Sequence, residues 1–572
     1  MRRTLLTLLA AMSPAAIGAQ RIAMSDRQQL PADVRREVAD KWNRPNALRS
    51  SDRLEIEAGR DVSGDVAVQR GPLTIAGHVI GSVLAVNSDV ILQPTARIDG
   101  NLLVVGGEVD GRNTAFIGGS TRIYRQSLRY RMEGDQLIAS DSGSSEGASW
   151  WQRLDRNREG SALDPLRVVQ AGPYNRVEGL PIELGPVIYQ TTDWGSIRFA
   201  PAAVFRTGSS FSSASADVGY NLRSEVRLGH EGGVGIGGQM FSIVDPVETW
   251  QLADLEVALA SFLVRRDYRD YYLRHGGNVF VTLYGARNFN LTGSYGAERW
   301  SSRNLKNPFT LFNSERPWRD NPLMDEGLFH VATANLSFDT RTDPDDPWSG
   351  WYMNADVEHG RGTMTETAPM SGVISRPLPQ GRTQYTRGMF DFRRYNRLGP
   401  NAQLNMRVVL GGWLDGDPLP LERRVSADGP AILPGFDFRS ARAGTDVGTC
   451  SVGPPASGRP AECDRVALAQ IEYRGDLRFN STGTWEDWPR RFHSAHGDVV
   501  WVLFADIGRG WRVGTPDGGS LVYESGDLPP LSTFRSDVGL GLDFAGIGVY
   551  VAKSVSTPSE PANFFVRLRH RF

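Results

Sequence analysis

The chain has 572 residues, a formal net charge of −2 and 40% hydrophobic residues; it is too long for one compact core and lacks the basic stripe of a nucleic-acid binder. Two cysteines cannot organise a metal cluster, while 63 glycines and 14 tryptophans suit many turns and interfacial aromatic side chains. No run of about 18 apolar residues stands beyond the first segment, so no transmembrane helix is expected.

Residues 1–19, MRRTLLTLLAAMSPAAIGA, pair two arginines with an apolar run and small residues, the pattern of a secretory signal peptide. Residues 20–53 form a lead-in, with a short helix over 30–43 carrying Val34, Val38 and Trp42 at spacing four. The fragments VSGDV (62–66), VIGSV (79–83) and IDGNL (98–102) then repeat one pattern at spacings of 17 and 19 residues, echoed by IAGHV at Ile75 and VGGEV at Val105. So short a repeat, with β-branched residues in alternation and Gly at each corner, predicts a small parallel β-solenoid over 54–130. These fragments resemble the bactofilin family over 61–122, which implies self-association; a capped, monomeric spacer is the alternative. Asn87, Asp89, Asp99 and Asp110 lack the spacing of calcium-binding solenoids and read as turn residues. Residues 131–172, with Trp150 and Trp151, are rich in Ser, Gly and charge and read as a linker.

From 173 to 572, runs of about 8 to 12 residues alternate with turns, the length of tilted membrane-crossing strands. SADVGYNLRSEVRLG, LEVALASFLV, NVFVTLYGARN and DVVWVLFADIG are examples. In RVALAQIEYRGDLRF (465–479), Ala467, Ala469, Ile471 and Tyr473 share one face, and Gln470, Glu472 and Arg474 the other. In YMNADVE, Asn354, Asp356 and Glu358 alternate with Met353, Ala355 and Val357. Such faces suit a wet lumen and a lipid surface, so the fold class expected is all-β: a transmembrane antiparallel barrel of about 16 strands behind the solenoid. RRDYRDYYLRHGG (265–277) reads as an interfacial loop with its tyrosines in the aromatic girdle rather than an active site built on His275. No GxSxG, HExxH or phosphate loop is visible, so no catalysis, cofactor or metal is expected, and Asp343, Asp345 and Asp346 read as a turn. Cys450 and Cys463 flank a Pro/Gly-rich loop; export favours their pairing, which closes a ring of roughly 14 residues worth about 3 kcal/mol. The closing run FFVRLRHRF places Phe564, Val566, Leu568 and Phe572 on one face and resembles the assembly signal of outer-membrane proteins.

Several segments resemble, in order, the bacterial surface antigen superfamily, which includes the barrels of BamA, TamA and two-partner secretion transporters. PYNRVEGLPIELG (173–185) resembles a first barrel strand, and SFDTRTDPDDPWSGWYMNADVE (337–358) a strand–turn–strand element. LPGFDFRS resembles the tip of the long sixth extracellular loop, FADIG (504–508) a later lumen-facing strand, and RSDVGLGLDF the strand before the end. The resemblance implies that Leu433, Pro434, Gly435 and Phe436 fold back into the lumen. Pro434 stands where the family has an arginine, so Arg439 or Arg442 is expected to supply the lock on Glu472 or Asp506. POTRA modules of βααββ pattern do not precede the barrel, and a solenoid stands in their place. The implied function is transport, insertion or anchoring of proteins or lipids at the bacterial outer membrane, with the N-terminal domain in the periplasm. Outer-membrane lipid, the barrel-assembly machinery and a protein client or a second solenoid are the implied partners. A structural or adhesive envelope protein and a passive diffusion pore are the alternatives.

Overall fold

The computed structural model describes residues 32–139, 169–208, 218–366, 381–436, 463–477, 499–522, 529–568 and 571–572, apart from 52, 70, 113, 125–127, 129, 134–135, 230–231, 285–288, 313–314, 342–346, 348, 400–401, 428, 430, 514, 518–519 and 545–546. The signal peptide, most of the linker with its two tryptophans, and Asp343, Asp345 and Asp346 lie outside the described residues. The chain divides into two compact units, Met1–Ser140 and Asp141–Phe572.

In the first unit, three parallel sheets of five, four and four strands form the sides of a solenoid. Its first strand is Leu48–Ser50, within the stretch expected as lead-in, and its last is Thr121–Tyr124. Val66, Val83 and Leu102 stand in register on successive coils and, with Ile75, Val79, Val90 and Ile98, make a dry aliphatic interior. The repeating glycine has a steric cause. A Cβ on Gly81 would stand 2.3 Å from the Gly64 carbonyl oxygen, and one on Gly100 2.6 Å from that of Gly81, so the corner admits no side chain. The polar residue that follows ties neighbouring coils: Asp65 accepts from the Ser82 N–H at 2.8 Å, and Asn101 from that of Ser120 at 2.8 Å. The residues read as turn residues make local ties: Asn87, at φ 48°, donates to and accepts from the Leu128 backbone at 2.8 and 2.9 Å, and Asp99 binds His78 and Arg97, both at 2.8 Å. Helix α1 (Ala32–Trp42) buries Val34, Val38 and Trp42 against Ala67, Leu84 and Leu103, which point outward from the first sheet.

The second unit is one antiparallel sheet. Its strands are β1 (Val169–Ala171), β2 (Pro181–Leu184, resuming as Ile188–Thr192), β3 (Gly195–Arg206), β4 (Val218–Leu228), β5 (Gly233–Pro246), β6 (Tyr271–Tyr284), β7 (Phe289–Ser302) and β8 (Glu326–Asp339). They continue as β9 (Gly350–Glu366), β10 (Gly381–Gly399), β11 (Ala402–Gly416), β12 (Arg465–Leu477), β13 (Val499–Trp511), β14 (Arg535–Phe544), β15 (Ile547–Ser554) and β16 (Asn563–Arg567). Both segments of β2 pair with β3, so they count as one interrupted strand and the sheet has 16. Each strand pairs with the next in sequence, and residues of β2 to β11 line one cavity together with Arg567 of β16 and with Arg571 and Phe572: the sheet is a barrel. It is polar inside and apolar outside, as the alternation predicts. Gln470, Glu472 and Arg474 are buried in the lumen, whereas Ile471 between them is 42% exposed on the outside.

Four expectations differ from the structure. LEVALASFLV is not a strand but helix α2 (Asp254–Val264), inserted between β5 and β6; Leu, Ala and Glu favour helix, and Arg265 ends it in the left-handed conformation at φ 61°. PYNRVEGLPIELG is not a first strand, because Asn175 turns the chain by accepting from the Val177 and Glu178 N–H groups at 3.0 and 2.8 Å; only Pro181–Leu184 of it joins the sheet, as the start of β2. The closing strand stops at Arg567 rather than running to Phe572: Phe564 and Val566 face outward, 78% and 59% exposed, but Arg571 and Phe572 are buried. Finally, Tyr271 and Tyr272 are not girdle residues; both are buried inside, where arginines surround them.

Candidate functional site in the barrel lumen

The connection between β11 and β12 enters the lumen as the LPGF motif suggests. Leu433 and Phe436 are buried with Val257 of α2, Val409 of β11 and Leu468 of β12. The tip is fastened through its backbone. The Gly435 N–H donates to Asp537 of β14 at 2.7 Å, Asn563 of β16 donates to the Pro434 carbonyl at 3.2 Å, and Gln470 to that of Ile432 at 3.1 Å. Arg535 lies over the Phe436 ring at 5.1 Å. A Cβ on Gly435 would stand 2.5 Å from that of Asp537 and 2.8 Å from the Ser554 nitrogen, so only glycine allows this approach. The tip thus meets the wall through a backbone donor on Asp537, a carboxylate other than the two expected for the lock.

Arg439, Arg442 and Cys450 lie outside the described residues, so the expected lock and disulfide fall there. Cys463 is fully buried beside Val425, their backbones exchanging two hydrogen bonds of 3.0 Å. The two carboxylates proposed for the lock have arginine partners of their own. Asp506 of β13 accepts from Arg571 and, at 3.2 Å, from Gln470. Glu472 accepts from Arg474 and Asn405, each at 3.2 Å, and Arg474 also pairs with Asp543 of β14.

Further arginines extend this network. Arg423, in the short 3-10 turn Leu421–Arg423 of the same connection, donates to Glu358 at 2.5 Å and to the Tyr272 hydroxyl at 2.7 Å, and stacks over Trp300 at 4.2 Å. Glu358 also accepts from the Tyr385 hydroxyl at 2.7 Å. Arg407 forks onto Asp391 at 2.7 and 3.0 Å and reaches the Trp250 carbonyl at 2.9 Å. Arg176, between β1 and β2, pairs with Asp267 and Asp270 at 3.2 and 3.0 Å. The planar, permanently charged guanidinium suits such desolvated, two-pronged pairing. Sequence reading missed Arg423 and Arg571; the Arg423–Arg424 pair beside the apolar Leu419 and Leu421 is a signal for the first.

Helix α2 holds the seam side of the barrel. Glu256 accepts from the Arg567 side chain at 2.7 Å and from the Leu568 N–H at 2.8 Å. Burial raises the Glu256 carboxyl, but Arg567 and the backbone N–H groups of Leu568 and Ala253 outweigh it and hold the group below its usual value. The Leu568 N–H is taken by a carboxylate where the strand ends, and Arg571 and Phe572 beyond it are buried. Arg571 then lies over Phe504, and Phe572 sits 6.5 Å from the Tyr395 ring. Among the described residues no pairing joins β1 to β16.

No family model and no curated protein matches the chain. Solved structures do: BamA from Haemophilus ducreyi lacking POTRA domains 1-3 is similar at 14% identity and a TM-score of 0.39, over 76% of this chain and 80% of that one. CdiB from Acinetobacter baumannii is similar at 9% identity and a TM-score of 0.30, over 70% of this chain and 57% of that one. CdiB from Escherichia coli stands at 12% and 0.28, over 70% and 60%. The barrel itself rests on its own strand order and register rather than on these likenesses.

Proposed function

We propose that the chain is an outer-membrane barrel that acts in the passage, insertion or anchoring of proteins or lipids through the seam between β1 and β16, with its solenoid in the periplasm. One observation carries this reading: among the described residues β1 offers three residues and β16 five to that seam, and Arg571 and Phe572 beyond β16 are buried instead of extending the sheet. A seam across which the described residues make no strand pairing is the cheapest place for the wall to part. The reading is not catalytic; buried carboxylates such as Glu358, Asp391 and Asp506 are engaged by arginine rather than poised around an open cleft. A passive pore is disfavoured because the loop tip, α2 and the arginine network occupy the lumen.

Depletion followed by outer-membrane proteomics is the test, and loss of particular barrel proteins, surface lipids or exported clients is expected. An unchanged envelope would transfer the reading to the anchoring alternative, in which the barrel only fixes the solenoid to the membrane.

A further inference from the structure

On the outer wall, the strand ends nearest the long connections carry a patch of cations. β6 follows the α2 connection and β7 enters that of residues 303–325, so the first residues of β6 and the last of β7 lie at that end. Register places His275 opposite Arg299 and His330 opposite Arg361, with Arg382 and His359 on the adjoining outward rows. All six side chains are exposed. Among the described residues, none of the three guanidinium groups has a carboxylate partner. Asp415 of β11 and Asp417 just after it bound the patch on one side, Asp417 accepting from the Gln384 N–H at 2.7 Å. One step further down the same strands the wall turns apolar, with Val279, Val281, Leu283 and Val357 exposed.

The histidines rest on this boundary. His330 stacks on Tyr295 with ring centroids 6.2 Å apart, His275 meets Tyr220 edge-on at 5.9 Å, and His359 pairs with the Thr386 hydroxyl at 3.0 Å. Tyrosine at such a level marks the junction of acyl chains and headgroups. Arginine there lays its stem along the apolar band and lifts its fork to the headgroups, where two-pronged phosphate binding is its strongest chemistry.

We infer that the outward faces of β6 to β10 form a binding site for the phosphate headgroup of a membrane lipid in the leaflet at the loop end, held by Arg299, Arg361 and Arg382. A lipid rather than free phosphate fits because the patch continues without interruption into the acyl-facing band. The inference rests on the barrel spanning a bilayer, not on transport through its seam.

The full chain, refolded into nanodiscs of phosphatidylcholine with a minority of phosphatidic acid, is re-extracted and its retained lipid quantified by mass spectrometry. Phosphatidic acid is expected to be enriched severalfold over the bulk ratio. In R299Q/R361Q/R382Q the ratio should fall to bulk, each single variant should lose part of the enrichment, and R36Q/R60Q/R112Q on the solenoid should retain it. Heat-dependent gel mobility reports separately that each barrel is folded and inserted. Undiminished enrichment in the folded triple variant, a bulk ratio for the native chain, or removal of the lipid by inorganic phosphate would each overturn the inference. A native chain that never inserts would instead overturn the bilayer-spanning reading beneath it.

Discussion

Arg423 is the residue whose loss should cost most. It is buried against Glu358, Tyr272 and Trp300 at once, and deleting one member of a buried pair leaves the other charge desolvated. R423A is expected to destabilise the barrel by about 3 kcal/mol, read as a lower urea midpoint in detergent; R423K restores the charge but not the fork, so its midpoint should fall between the two. A wild-type midpoint for R423A would remove the network from the account of stability. Gly435 makes a different prediction. With Asp537 and Ser554 so close to where its Cβ would stand, G435A must lift the loop tip off β14 and β15. Proteolysis within 433–463 should then accelerate while the folded band on gels persists. Little of this is legible in sequence. The LPGF tip is visible as a motif and FADIG as a lumen strand, but which carboxylate meets which arginine depends on barrel closure, which brings Asp506 and Arg571 together across 65 residues.

At the level of elements, α2 is a brace as well as a plug. E256Q keeps an acceptor for the Leu568 N–H but leaves the Arg567 charge without its carboxylate, so hydrogen exchange over 563–568 should rise. The pH dependence follows from the depressed Glu256 value. As pH falls, the unfolded carboxyl takes up its proton first, so the brace is complete above the ordinary value of 4.5 and is lost as pH passes through the lower folded value. Exchange at β16 should therefore rise in acid for the native chain and depend much less on pH in E256Q. The solenoid carries a parallel prediction: G81A would press a methyl carbon on the Gly64 carbonyl, costing on the order of 1–3 kcal/mol as overpacking does. Limited proteolysis should then open the first unit while the barrel band is unchanged. Elements defined by repetition or strict alternation were readable: the coils because glycine recurs at a corner, and β9 and β12 because polar and apolar residues trade places. Helix α2 was not, since a short apolar run fits a strand or a buried helix equally well until its packing against Leu433 and Val409 is known.

For the whole molecule, the occupied lumen predicts a silent channel. The native chain should show little conductance in planar bilayers, and deletion of 433–463 should open it, because that segment supplies the apolar tip seated between α2 and β11 to β12. A large conductance in the intact chain would restore the pore reading. Strand length also varies around the wall. Among the described residues, β9 and β10 run 17 and 19 residues, whereas β14, β15 and β16 shorten through 10, 8 and 5, and β1 has 3. Resistance to tearing is therefore graded around the circumference: a load applied to the wall, whether by heat, by pulling or by a bilayer too thin for the long strands, concentrates on one line. The barrel should unzip from that line toward β9 and β10, with amide protection rising strand by strand in the same direction.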